Sequence, residues 1–153
     1  MLIIRRATKK DLIPLLEVCH HFWIEYNALL TEKELQQKLE TSIDQGIVYI
    51  ALIKEKTFGY VWCEYLGKES KYFPMSVFIN ELWVEPEYRK KGIGKKLISF
   101  ALKQPYLPEY SYFSVTHNPK ESWLTDFYRK LGFKIKGKTD VGNIVLTRIK
   151  NSS

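Results

Sequence analysis

Cysteine, methionine and histidine are all scarce in this chain: two, two and three residues among 153. Cys19 and Cys63 cannot build a disulfide framework and read as two reduced thiols. His20 and His21 stand beside Cys19, but neighbours on a helix diverge by about 100° per step, so they do not share one ion. No metal site is expected. No apolar run approaches the roughly 20 residues of a membrane-spanning helix. The opening MLIIRRATKKD has neither the apolar centre nor the small-residue cleavage site of a secretory signal, so a cytoplasmic location is expected. Acids are fewer than bases, 17 against 24, giving a net charge of +7. That excess suits either nucleic acid or a small polyanionic ligand. What is abundant is apolar and aromatic material, 45% and 14%. It argues for a globular chain that can bury one core, a single domain over residues 1–153. There is no internal repeat, linker or low-complexity segment.

The most informative stretch is INELWVEPEYRKKGIGKKLISFALK, from Ile79 to Lys103. Ile79 to Val84 suits a strand, and Pro86, which has no N–H for a ladder, stops it. From Ile93 the apolar positions Ile93, Leu97 and Ala101 recur at helical spacing, with Ile98 and Leu102 beside them. Gly92 and Gly94 lie where loop becomes helix. Free backbone N–H groups at a helix start, with the helix dipole behind them, form an anion site that suits phosphate. Arg89, Lys90, Lys91, Lys95 and Lys96 surround it, and no acid occurs between Arg89 and Lys103. The plain alternative is a surface helix with a solvated basic face.

Arg89-Lys90-Lys91-Gly92-Ile93-Gly94 resembles the Q/R-x-x-G-x-G/A signature of the GNAT superfamily of acyl-CoA-dependent N-acyltransferases, and Val84 to Tyr88 resembles its usual approach. A second motif, Phe127-Tyr128-Arg129-Lys130-Leu131-Gly132-Phe133, is similar to the late helix-to-strand segment of that family. The resemblance implies that the 89–94 loop and Lys95 cradle the pyrophosphate of coenzyme A. It further implies that Leu82, Trp83 and Val84 line the coenzyme, an N–H there serving as oxyanion donor, and that Tyr128 faces the coenzyme sulfur. Asn118 resembles the asparagine that often ends the preceding strand and contacts the coenzyme, although its spacing of ten residues from Tyr128 is longer than usual. The plain alternative for Tyr128 is a core tyrosine on an amphipathic helix.

The remaining segments fit the same order. Leu2 to Arg6 reads as a strand. A helix follows from Asp11, which would leave Pro14 at a position where a missing N–H costs nothing. Its apolar stripe is Leu12, Leu15, Leu16, Cys19, Trp23 and Tyr26. Thr31 to Glu34 fits a capping box, opening a helix through Leu35, Leu39 and Ile43 to Gly46. Ile47 to Ile53 and Phe58 to Leu66 read as a hairpin, and residues 67–76 as a loop. Tyr110 to Thr116 is a strand and Glu121 to Leu131 a helix, with Trp123, Leu124, Phe127, Tyr128 and Leu131 on its apolar side. Strands then begin at Phe133 and Asn143. The order is β-α-α-β-β-β-α-β-α-β-β. The resemblance implies a three-layer α/β fold with a mixed, mostly antiparallel twisted sheet of about seven strands and about four helices. A V-shaped splay would separate strands 79–84 and 110–116.

Acyl transfer to an amine needs a neutral amine, a polarised thioester and a protonated leaving thiolate. Tyr128 could supply the proton. Three residues compete for the base: Glu81, Glu64 and His117. Glu81 is the nearest match to the family's acid on this strand, yet it points to the opposite face from Leu82 unless a bulge intervenes. A solvated strand glutamate and a loop histidine are the plain alternatives. Acetyl-CoA is the expected cosubstrate, without a metal. The expected acceptor is a primary amine of a small molecule or peptide, with loops 27–30 and 67–76 shaping its site. Trp23, Tyr26, Trp62, Tyr65, Tyr72 and Phe73 are candidates for its lining, and the plain alternative for most of them is the core. The chain would act as a monomer or homodimer. An inactive acyl-CoA-binding domain stays open as an alternative, as does a protein N-terminal or lysine acetyltransferase. A nucleic-acid-binding module is disfavoured, because the basic residues cluster on one loop.

Overall fold

The computed structural model describes residues 1–26 and 30–150. Its strands are β1 (Leu2–Arg6), β2 (Val48–Ile53), β3 (Lys56–Leu66), β4 (Ser76–Val84), β5 (Tyr112–His117), β6 (Lys134–Lys138) and β7 (Ile144–Ile149). Its helices are α1 (Leu12–Glu25), α2 (Glu32–Asp44), α3 (Ile93–Leu102) and α4 (Trp123–Lys130). The strands form one sheet in the order β1-β2-β3-β4-β5-β7-β6. The element order and the seven-stranded mixed sheet are those expected from sequence. By compactness the chain divides into two units, Met1–Cys63 with Glu81–Lys103, and Glu64–Asn80 with Gln104–Ser153. Strands β3 and β4 contribute residues to both.

In the first unit, β1 and β2 pair antiparallel from Leu2↔Ile53 to Arg6↔Tyr49. The β2–β3 hairpin closes at Ile53↔Lys56, so its two loop residues are Lys54 and Glu55, at φ 50° and 65°. Helices α1 and α2 bury Leu15, Val18, Cys19 and Trp23, and Leu35, Leu39 and Ile43, in a core shared with Ile50, Tyr60, Trp62 and Trp83. Full burial of one such leucine is worth roughly 1.5–3 kcal/mol. Val18, absent from the expected stripe, is buried, whereas Tyr26, included in it, is exposed. Tyr26 lies one residue past the end of α1, where the helical spacing no longer applies. Trp62 Nε1 donates to Ser42 Oγ at 2.9 Å, which satisfies both polar groups inside this core.

Helix α1 is held at its start by an acid that reaches backwards. Asp11 makes no side-chain cap of α1. It accepts instead from the Thr8 backbone N–H at 2.8 Å and from both terminal nitrogens of Arg5, at 2.8 and 2.9 Å. Helix α2 opens with the expected capping box: Thr31 Oγ1 accepts from Glu34 N–H, and Glu34 reaches back to Thr31 N–H, each at 3.2 Å. On the other helix of this unit, α3, Ile93, Leu97, Ile98 and Ala101 are buried. Phe100 meets Tyr49 of β2 edge-on at 5.5 Å.

In the second unit, β5 and β7 pair antiparallel from Tyr112↔Ile149 to His117↔Ile144. Strand β6 is the edge of the sheet, and its pairing to β7 shifts register between Ile135 and Gly137. All five β6 residues are exposed. Phe113, Val115, Tyr128, Phe133, Val145 and Leu146 are buried. Trp123, placed on the apolar side of α4 by its spacing, is 63% exposed, and Tyr128 alone is buried on that helix. The parallel ladder between β4 and β5 registers Ser76↔Tyr112, Val77↔Phe113 and Phe78↔Ser114, and residues 79–84 run on beyond it. Strand β4 therefore starts at Ser76, three residues before the Ile79 start read from sequence. Buried hydroxyls extend it: Ser76 Oγ donates to the Phe73 carbonyl and meets Ser114 Oγ, both at 2.8 Å.

Candidate functional site

At the end of β4 the chain passes through a single 3-10 turn, Pro86–Tyr88, into the loop that starts α3. That turn is pinned from several sides. Glu85 N–H donates to the Phe58 carbonyl at 2.8 Å, and the Tyr88 ring lies 4.3 Å from that of Phe58. Arg89 Nε donates to the Val84 carbonyl at 2.8 Å, and its guanidinium lies 4.5 Å over Trp83. From α1, His21 Nδ1 meets Glu85 Oε1 at 2.6 Å. The loop is thus carried on an anchored base.

The loop itself turns sharply, with Lys90 at φ 65° and Gly92 at φ 76°. Gly92 caps α3 with no side-chain hydrogen bond. The first intrahelical bond is from Lys96 N–H to Gly92 C=O at 3.1 Å. The N–H groups of Ile93, Gly94 and Lys95 therefore precede the helical ladder and point out of the helix start. A Cβ placed on Gly92 would meet nothing within 4 Å, so the space beside this cap residue is open. Lys90, Lys91, Lys95 and Lys96 are exposed around it, while Ile93 is buried and fixes the first turn. Unhindered N–H donors, a helix dipole and four lysines fit a polyanion such as a pyrophosphate. Arg89, grouped with these residues by sequence, turns its guanidinium onto Trp83 instead.

Leu82 and Glu81 point to opposite faces of β4, as strand parity requires. A Cβ on Gly94 would lie 3.8 Å from Leu82 Cδ2, which places Leu82 under α3. Glu81 faces α1. It is 6% exposed and accepts from Trp23 Nε1 at 3.1 and 3.3 Å and from Tyr60 OH at 2.7 Å. Trp83, on the same face, meets Phe22 edge-on at 5.8 Å. The solvated-glutamate alternative does not hold for this residue. Spacing along the sequence does not pair Glu81 with Trp23 or Tyr60, which lie 58 and 21 residues from it. The available signal was the parity of β3 and β4, which puts Tyr60 on the α1 face, together with the stripe that turns Trp23 inward.

The other candidates lie in the second unit. Tyr128 is buried, its ring 5.1 Å from Phe127 and 5.3 Å from Phe133, both edge-on. Asn118 is exposed after β5, and its Oδ1 accepts from Lys120 N–H at 2.9 Å, a local turn. His117 is buried. Its Nδ1 lies 2.9 Å from the Asn118 carbonyl, which can only accept, so Nδ1 carries the proton. Nε2 then meets Thr125 Oγ1 at 2.8 Å. Both ring nitrogens are engaged, which is a poor starting state for a base. Glu64 is half-buried near the end of β3. Cys19 and Cys63 are buried free thiols, and burial first, then Glu81, pushes the Cys19 thiol well up, so neither is a nucleophile. Among the described residues no group of three or more His, Cys, Asp or Glu side chains is arranged to hold a metal ion, and no helix is long and apolar enough to cross a membrane. Of the loop expected at 27–30, residues 27–29 lie outside the described residues.

Comparison with known proteins matches residues 44–135, more than half of the chain and including all of the 79–103 stretch, to the acetyltransferase (GNAT) domain. The peptidyl-lysine N-acetyltransferase YjaB of Salmonella typhimurium is 31% identical over 67 residues, which are 43% of this chain and 42% of that protein. Among solved structures, the PaiA N-acetyltransferase of Thermoplasma acidophilum in complex with coenzyme A superposes with a TM-score of 0.70. It is 20% identical, over 97% of this chain and 99% of that one. YncA of Salmonella typhimurium, a putative acetyltransferase with acetyl-CoA, gives 0.79 at 16% identity, over 100% and 96% of the two chains. At such identities the likeness is one of fold. Taken with the match over residues 44–135, it agrees with the loop and sheet described above: this chain belongs to the GNAT acetyltransferase family.

Proposed function

We propose that residues 1–153 form one N-acetyltransferase domain that moves the acetyl group of acetyl-CoA to a primary amine of a small molecule or peptide by direct attack in a ternary complex. One observation carries this reading: the uncapped start of α3, with its outward N–H groups ringed by exposed lysines directly after β4. Coenzyme A, when bound, supplies the acyl group as an activated thioester. The chain holds its pyrophosphate with the N–H groups of residues 92–95 and with Lys90, Lys91 and Lys95. Ile93 seats the first turn in the core. Arg89 acts differently, fixing the end of β4, where a backbone N–H among Leu82, Trp83 and Val84 stabilises the developing oxyanion. Glu81 takes a proton from the incoming ammonium ion through water, since it is buried. Tyr128 protonates the leaving sulfur and Asn118 contacts the coenzyme, two roles supported by motif alone.

For the acceptor, the match to a peptidyl-lysine acetyltransferase over part of its length favours an exposed lysine or a similar unhindered primary amine. The test has two arms. Millimolar acetyl-CoA should raise the melting temperature by several degrees, as a ligand at about 100 times its Kd adds about 2.7 kcal/mol. Gly92→Asp, which puts a carboxylate before the free N–H groups, should abolish that rise. Thiol release should then appear with at least one member of a panel of lysine peptides and small amines. Stabilisation without release from any amine would favour the inactive coenzyme-binding alternative. No stabilisation at all would reject the site.

A further inference from the structure

We propose that Trp23 and Tyr60 are positioning residues that aim Glu81 and keep it ready to take a proton, an inference that rests on the reading of Glu81 given above. Three elements meet at this carboxylate: α1 brings Trp23 and Cys19, β3 brings Tyr60 and β4 brings Glu81 itself. The direction of each bond follows from the chemistry of its groups. An indole N–H only donates, and Trp23 Nε1 lies 3.1 Å from Oε2 and 3.3 Å from Oε1. The Tyr60 hydroxyl donates to Oε1 at 2.7 Å. Burial first, with the neighbouring Cys19 and Glu81 adding to it, holds the Tyr60 phenol well above its ordinary range, so it remains a donor.

The titratable groups facing the carboxylate include Cys19 from α1 and Tyr60 from β3. Burial is the main cause that pushes both towards their neutral forms. A carboxylate 6% exposed has given up most of its hydration. Fixed donors replace that water and favour the ionised form over the protonated one. Because they come from different elements and reach both oxygens, they also fix the plane of the carboxylate. A core chosen for apolar packing alone would not need an acid, an indole N–H and a phenol at one point.

The experiment follows the Glu81 carboxyl by carbon NMR in glutamate-labelled protein, with its resonance identified by its loss in Glu81→Gln. The same variants are assayed for kcat/KM against pH with acetyl-CoA and a lysine peptide. Tyr60→Phe and Trp23→Phe each remove one donor and keep a ring. Both should raise the titration midpoint of that resonance by about one unit or more. The acid limb of kcat/KM should move up with it, while KM for acetyl-CoA stays unchanged. Trp62→Phe loses the equivalent buried donor to Ser42 in the same core. It should lower the melting temperature comparably and move neither the midpoint nor the limb. If Glu81→Gln retains the acid limb, the reading of Glu81 falls and the proposal with it. If Glu81→Gln abolishes the limb while Tyr60→Phe and Trp23→Phe leave midpoint and limb in place, the positioning roles alone are overturned.

Discussion

Ser76 has one hydroxyl proton and gives it to the Phe73 carbonyl, so toward Ser114 it can only accept. Removing Ser76 leaves both a buried carbonyl and the Ser114 hydroxyl without their partner; removing Ser114 costs one donor. Ser76→Ala should therefore lose about 2–3 kcal/mol and Ser114→Ala about 1 kcal/mol, read from denaturant midpoints at unchanged slope. Equal losses would contradict this direction of bonding. Asp11 carries a pH signature. The hydrogen bond from Arg5 is the main cause that holds its carboxyl below the ordinary range, with help from Thr8. A lowered folded value contributes stability above the unfolded value of about 3.9, lost as pH falls through the folded one. Asp11→Asn should thus destabilise at pH 7, and its penalty should shrink in acid melts below about pH 4. At Tyr128, replacement by Phe should keep coenzyme affinity and lower kcat roughly ten- to a thousand-fold, the range of a lost general acid. A fall in melting temperature at unchanged kcat would assign the ring to the core. The Ser76–Ser114 and Arg5–Asp11 partnerships were not visible in the sequence, because each joins residues through folding, whereas Thr8 and Asp11 stand at capping-box spacing.

At the scale of elements, the sequence was far more legible. Alternation and helical periodicity report burial, and burial is what the elements share, so β1, α2 and α3 stand where their patterns put them. The misreadings have physical causes. The stripe of α4 reads as apolar through Trp123, but an eight-residue helix needs little cover and leaves that ring outside. Strand β4 starts at Ser76 rather than Ile79: the apolar run already opens at Val77, and the buried hydroxyl of Ser76 hides one position more. The β2–β3 loop shows the reverse case, a turn made without the residues it prefers. Lys54 and Glu55 both sit at positive φ, the arrangement that Asn-Gly adopts with little strain. Lys54→Asn with Glu55→Gly should stabilise by about 1 kcal/mol, visible as a rise in melting temperature. On β6, Lys134, Lys136 and Lys138 line an exposed sheet edge beside a register shift, a combination that discourages pairing with a second copy. Replacing all three by threonine should leave the thermal midpoint near its original value at low concentration while promoting concentration-dependent aggregation, measured by light scattering.

On the scale of the whole molecule, the charge of +7 leaves the nature of the anion open, and the α3 start narrows it to a compact one. What composition could not reveal is how the chain is apportioned. Neither compact unit is a continuous stretch: the first takes Met1–Cys63 and Glu81–Lys103, the second Glu64–Asn80 and Gln104–Ser153. During synthesis, residues 64–80 leave the ribosome well before β5, against which Ser76 to Phe78 will register. From the emergence of Ser76 the nascent chain therefore carries a waiting strand, a short apolar edge with its hydroxyls unspent, until roughly another 40 residues, through His117 of β5, have followed at about 5–20 residues per second. For those few seconds the segment that sets the parallel ladder is also the one most open to wrong partners, and slow translation beyond Lys103 would prolong that exposure.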